Sequence, residues 1–214
     1  MSEDGFITNI NATSGNSYDG DLLLPLTDKG LMNDQTIHKV VADGAYGSAS
    51  NRFGMLKKGA VLIAPVSKES NKAGDYYTQE KFTIDKSGVT CPAGKRTMIS
   101  YHDKKKGTHL YHFKKSDCCE CSLKTKCTKM DHRTITVSRH YPILEEAKRY
   151  SKSRDFKRDM KMRAHIEPKQ GEMKRFHGLK RAKFWGKEKM NIQAMLTGIA
   201  VNLKRFIKMS GEIY

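Results

Sequence analysis

Apolar and polar residues alternate first in "FITNINATSGN", where Phe6, Thr8, Ile10 and Ala12 fall on one face before the turn-forming Ser14-Gly15-Asn16. That period of two predicts a strand closed by a turn. Asp19 then caps a helix through "DLLLPLTDKGLM", limited or kinked by Pro25. "HKVVADGAYG" predicts a short buried strand with Gly44 and Gly47 in the following turn, "SASNRFGMLKKG" a helix from the Ser48 cap to Gly59, and "AVLIAPV" a second buried strand. Strand, helix, strand in that order is the mark of an α/β fold. Beyond Pro65 the pattern shortens: Lys, Gly, Asp and Ser dominate residues 67–90, and "GKRTMISYH" and "GTHLYHF" predict short strands in a segment that holds every cysteine. From Tyr141 onward the period becomes helical. "PILEEAKRYSKSRDFKRDMKMRAHI" is expected as a helical stretch started near Pro142. In the last helix Ile192, Met195, Leu196, Ile199, Leu203, Phe206 and Ile207 form a 3.6-period stripe expected to be core. The expected organisation is residues 1–66 as the first part of an α/β core, 67–140 as an inserted β-rich module, and 141–214 as the helical remainder.

Charge adds a direction to this picture. The 40 Lys and Arg against 23 Asp and Glu give +17, and residues 1–60 carry only 5 basic against 7 acidic side chains, so residues 61–214 hold the whole excess. Such a surface selects polyanions, nucleic acid first and anionic membrane second, or is a basic solvated face that binds nothing in particular. No apolar run reaches the roughly 18 residues of a membrane span, and "MSEDGFITNI" has no basic region followed by an apolar stretch. A cytoplasmic, unexported chain with no membrane partner is expected.

In that setting the five cysteines are expected reduced or metal-bound. Cys118 and Cys121 form a C-x2-C pair, Cys127 follows, and Cys91 precedes in "TCPAGK", a sequence suited to a tight knuckle. Four thiolates from two segments suit a closed, structural Zn2+ site, with packed thiols or a redox role as the alternatives. Cys119 is left over.

In "RAHIEPKQGEMK", Arg163, Glu167 and Lys174 lie at about 0°, 40° and 20° on a helix of 100° per residue, and so share one face. A carboxylate flanked by cations binds metal and phosphate, or is an ordinary surface ladder of charges. Pro168 implies a kink, or a new helix with Glu167 near its start.

With these motifs the chain resembles the bacterial insertion-sequence transposases with a ribonuclease-H-like DDE catalytic domain. "VVADGAYGS" looks like the second-aspartate motif, "RAHIEPKQGEMKRFHGLKRAKFWG" like the glutamate motif, "DGFITNINATSGNSYDGDLLLP" like the segment between the first and second acids, and "CPAGK" with "CCECSLKTKCT" like a cysteine-rich insertion of one branch. The resemblance implies a ribonuclease-H-like α/β core, incomplete at its start, with an inserted cysteine-containing module and C-terminal helices. It implies Asp43 and Glu167 as two of three carboxylates for a pair of Mg2+ ions, and Arg163, Lys174, Lys180 and Arg181 as DNA contacts. It also implies DNA cleavage and strand transfer as the chemistry, with element ends and target as DNA partners and self-association or an intact transposase as protein partners. Met160 stands where the motif often has a tyrosine. The first aspartate is expected upstream of the segment matched by Asp4 to Asn16, so the chain is expected to be a C-terminal part with negligible cleavage of its own. Three readings stand: a DDE enzyme whose missing acid comes from elsewhere, a remnant that binds DNA or transposase without cutting, and, behind these, a zinc-stabilised basic protein with no transposition role.

Overall fold

The computed structural model describes residues 1–66 and 76–211, so part of the Lys- and Ser-rich stretch after Pro65 lies outside the described residues. In chain order the first elements are α1 (Leu23–Met32), β1 (Lys39–Val41), α2 (Ala49–Lys57) and β2 (Val61–Ile63). There follow β3 (Thr83–Asp85), β4 (Gly88–Thr90), β5 (Arg96–Thr97), β6 (Ser100–Asp103), β7 (Thr108–His112), the short helices α3 (Lys115–Cys119) and α4 (Lys124–Cys127), and β8 (Thr134–Ser138). Four helices end the chain: α5 (Tyr141–Ser151), α6 (Arg154–Arg163), α7 (Ile166–Phe176) and α8 (Lys187–Met209). This is a mixed α/β protein. Its contacts divide it into one unit drawn from Met1–Ser67 and Ile143–Tyr214 and a second from Lys68–Pro142.

The first unit is organised on the parallel pair β1 and β2, in register Lys39 with Val61 and Val41 with Ile63. The linking helix α2 forms where expected: the Ser48 hydroxyl accepts from the Asn51 amide at 3.2 Å, and Gly59 closes the helix at φ +74°. It presses Met55, fully buried, onto Leu23, Ala42, Ala60, Leu62 and Ala64. Pro25 sits in the first turn of α1, where its missing amide has no helical partner to lose. Asp19 lies in a short 3-10 turn before α1 and makes no side-chain cap bond.

Three expectations need correction. Phe6 to Ala12 pairs with no strand among the described residues. Its backbone is held instead by amide side chains of α8: Asn202 donates to the Ile7 carbonyl at 2.9 Å and accepts from the Ile7 amide at 2.8 Å, and Asn191 accepts from the Ala12 amide at 2.6 Å. Five extended residues and eleven helical ones both span roughly 17 Å, so the segment runs antiparallel along the helix with its polar bonds matched at either end. The helical stretch after Pro142 breaks at Ser153, whose hydroxyl accepts from the Phe156 amide at 3.1 Å and starts a second helix. The stripe on α8 is not core: Ile192, Met195, Leu196, Ile199, Leu203, Phe206 and Ile207 are 42 to 63% exposed. The small face of Ala194, Thr197, Gly198 and Val201 is the one turned inward, where the backbone of α8 approaches its neighbours closely.

The second unit is built from two antiparallel three-stranded sheets, β3-β4-β5 and β6-β7-β8. Phe82, Val89, Phe113, Ile135 and Val137 form its core, and Cys91, Cys118 and Cys127 pack against it.

Candidate metal and nucleic-acid site

Asp43 stands two residues beyond β1, where the chain leaves the sheet. Its Oδ1 accepts from the Ala45 amide at 2.9 Å, the turn bond that Asp-Gly sequences favour, and its Oδ2 is left facing outward. Two side chains that the sequence reading passed over fix this turn. Arg52, 5% exposed, donates to the carbonyls of Gly47 at 3.0 Å, Leu62 at 3.1 Å and Ala64 at 2.6 Å, and Asn51 donates to those of Gly20 at 2.7 Å and Tyr46 at 3.0 Å. Burial lowers the pKa of the Arg52 guanidinium. A Cβ on Gly47 would meet the Pro65 carbonyl oxygen at 2.2 Å, so only glycine lets the turn close on β2.

Arg163 closes α6, and after Ala164 and His165 the next helix opens with Glu167 in its first turn and Pro168 in its third position. The expected single face is therefore split: Arg163 is on one helix, and Glu167 and Lys174 are on the next. The break still brings the acids together. One Arg163 guanidinium nitrogen lies 4.0 Å from Asp43 Oδ2 and 3.6 Å from Glu167 Oε1, so residues from distant parts of the chain share one cation. A groove of about 730 Å3 opens beside it, lined by Lys39, Val41, Arg163, His165 and Ile166 on this side. Lys174 is exposed and makes no ion pair among the described residues.

Lys180 and Arg181 project from the loop between α7 and α8. Buried Gln193 holds that loop: its amide nitrogen donates to the carbonyls of Gly178 and Arg181, both at 2.9 Å, and its oxygen accepts from the Lys183 amide at 2.9 Å. The sequence hides this role, since a glutamine between apolar neighbours reads as a gap in the stripe.

Cys91, Cys118, Cys121 and Cys127 line one cavity of about 20 Å3, room for a single water-sized occupant, while Cys119 is exposed and outside it. The knuckle forms as expected, with the Cys91 amide donating to the Lys95 carbonyl at 2.8 Å and the Gly94 amide to the Cys91 carbonyl at 2.9 Å. Burial pushes the Cys127 thiol up, Arg133 opposes the shift, and the neighbouring Cys118, Cys91 and Cys121 add to it. The donor set fits a tetrathiolate ion. The spacing is open: among the described residues no three His, Cys, Asp or Glu side chains converge closely enough to hold a metal ion.

A family model described as a transposase DDE domain matches residues 90–207, more than half of the chain. The chain belongs to the transposase DDE-domain family. No curated protein and no solved structure matches it. Within this transposase domain the matched region takes in the four cavity cysteines, Arg163, Glu167, Lys174, Lys180 and Arg181, while Asp43 lies outside it. The transposase family is one of DNA-acting proteins that generally use Mg2+, a hard cation suited to carboxylate oxygens. Among the described residues no helix is long and apolar enough to cross a membrane.

Proposed function

We propose that the chain serves DNA transposition as a polynucleotidyl-transfer domain with a ribonuclease-H-like core, in which Asp43 and Glu167 are the metal-holding carboxylates. One observation carries this: the two acids meet on the Arg163 guanidinium, at 4.0 and 3.6 Å, although they come from distant parts of the chain. Both carboxylates face one positive charge, and a divalent ion would draw on the same attraction. Mg2+ held there would polarise the scissile phosphate and lower the pKa of an attacking hydroxyl. Asp43 and Glu167 provide the oxygens. Arg163 orients both and neutralises them while no ion is bound, and the exposed Lys174, Lys180 and Arg181 bind the DNA backbone.

The second reading, a DNA-binding or transposase-interacting protein that does not cut, is favoured by a different observation. No third acidic or ligating side chain converges with Asp43 and Glu167 among the described residues. Two carboxylates are a poor cage for two divalent ions. We therefore expect negligible cutting by this polypeptide alone in Mg2+, with activity needing a carboxylate from another polypeptide. An assay on DNA bearing the element's ends decides between the readings. Robust cutting by the purified chain sinks the incomplete site, and retention of DNA without cutting upholds it. In the second unit the four cysteines hold a structural Zn2+ in a module inserted into the core, as in one bacterial branch of the family. Well under one zinc per chain in purified protein would overturn that assignment.

A further inference from the structure

We propose that the tip of the loop between α7 and α8 is a base-stacking site for unpaired nucleotides, with Trp185 as the platform and Phe184 beside it. This rests on the DNA-binding half of the function proposed above and adds a ligand class to it: single-stranded or frayed DNA rather than closed duplex. Trp185 is the one tryptophan of the chain and is 96% exposed, and Phe184 is 57% exposed. An indole left wholly in water contributes nothing to folding, so its place in the sequence calls for a partner.

The surroundings specify that partner. Lys180, Arg181, Lys183 and Lys187 flank the two rings in sequence, with Glu188 as the nearest acid. Cations interleaved with bare aromatic faces bind a backbone through the charges and the bases through the rings. An apolar protein partner would leave those cations buried and unpaired. The loop is also prepared for the task. Gln193 pins Gly178, Arg181 and Lys183, the Thr197 hydroxyl donates to the His177 carbonyl at 3.3 Å, and the Leu179 amide donates to the Met173 carbonyl at 3.1 Å. Only Phe184, Trp185 and Gly186 run beyond these ties before α8 begins. A fixed base with a projecting ring loses little freedom when a nucleotide stacks on it.

A lone tryptophan makes the test direct. The full chain is titrated with a fully paired blunt duplex and with the same duplex carrying an unpaired 3′ end, and binding is followed by tryptophan emission and separately by gel retention. Emission is expected to be quenched by the unpaired end and little changed by the blunt duplex. Trp185→Ala should weaken binding of the unpaired end roughly ten- to hundredfold while leaving blunt-duplex binding, its salt dependence and the melting temperature unchanged. Trp185→Phe should restore much of the loss. Emission that does not move when retention shows DNA bound overturns the stacking site and leaves DNA binding intact. Absence of retention overturns both. Emission that changes with protein concentration and not with DNA overturns the proposal in favour of a protein contact at Trp185.

Discussion

Arg52 carries more of the site than its place in the middle of α2 suggests. Its three bonds run to carbonyls on the turn after Asp43, on the middle residue of β2 and on the residue just past β2, so it sets the height at which Asp43 leaves the sheet. Replacing it with Ala leaves those carbonyls unpaired in a buried place, and a loss of about 3 kcal/mol or more is expected in urea unfolding. Asp159 is another buried polar anchor, 4% exposed, accepting from the Tyr150 hydroxyl at 2.7 Å and the Lys39 ammonium at 3.1 Å. The Tyr150 bond foremost, then Lys39, holds its carboxyl below the ordinary 3.8. A carboxyl whose folded pKa is depressed stabilises the fold fully above its unfolded pKa and loses that contribution as pH falls through the folded value. Between pH 6 and pH 3 the melting temperature of the natural chain should therefore fall more steeply than that of Asp159→Asn, which starts about 1–3 kcal/mol lower. Parallel pH curves for the two proteins would refute this. The sequence shows neither role, because Arg52 and Asp159 both stand in strongly charged or polar helices where the expected position is the surface. Which of several basic side chains turns inward depends on the carbonyls that tertiary structure brings to it. Asp43 was easier to read: Asp-Gly after an apolar run already implies a turn at a strand end, and only its second partner, Arg163, needed the fold.

At the level of elements, β1, α2 and β2 lie where local signals put them, since cap, period and closing glycine all lie within the segment they govern, but β1 is not the buried strand expected: Lys39 is exposed and Val40 and Val41 are half-buried. Phe6 to Ala12 and α8 do not. Alternation tells which residues share a face, and a helical period tells the same of α8, but neither says what that face meets. In the first case asparagine amides take the place of a neighbouring strand, and in the second the small residues face inward while the large ones remain in water. Gln193 links α8 to the basic loop, and this gives a test at a distance. Gln193→Leu should lower stability by about 1–3 kcal/mol through the unpaired Gly178 and Arg181 carbonyls. It should also weaken DNA retention at fixed salt, although a buried Gln193 cannot touch DNA. Unchanged retention with lowered stability would show that Lys180 and Arg181 act without a fixed loop.

For the whole molecule, the positive charge and the carboxylate pair make separable claims. DNA affinity should fall linearly with the logarithm of salt concentration, and Lys180→Gln with Arg181→Gln should flatten that slope by about two phosphate contacts. A slope unchanged by both substitutions would place the DNA elsewhere on the basic surface. Chelation tests the zinc proposed for the second unit: if the four cysteines hold one, a chelator should loosen the residues around Cys91 and Cys127, seen as faster amide exchange there, with β1 and α2 unaffected. The charge asymmetry was legible from composition, whereas the meeting of Asp43, Arg163 and Glu167 needed α6 to break before α7. The uncovered stripe of α8 has a consequence of another kind. Seven large apolar side chains, each about half exposed, leave on the order of 700 Å2 of greasy surface, beyond what a solitary protein usually shows. Quality-control systems bind such surfaces and clear the proteins that bear them. Left bare, α8 should make the abundance of this chain in a cell limited after translation as well as before it, and Leu196→Gln with Leu203→Gln should raise its steady-state level.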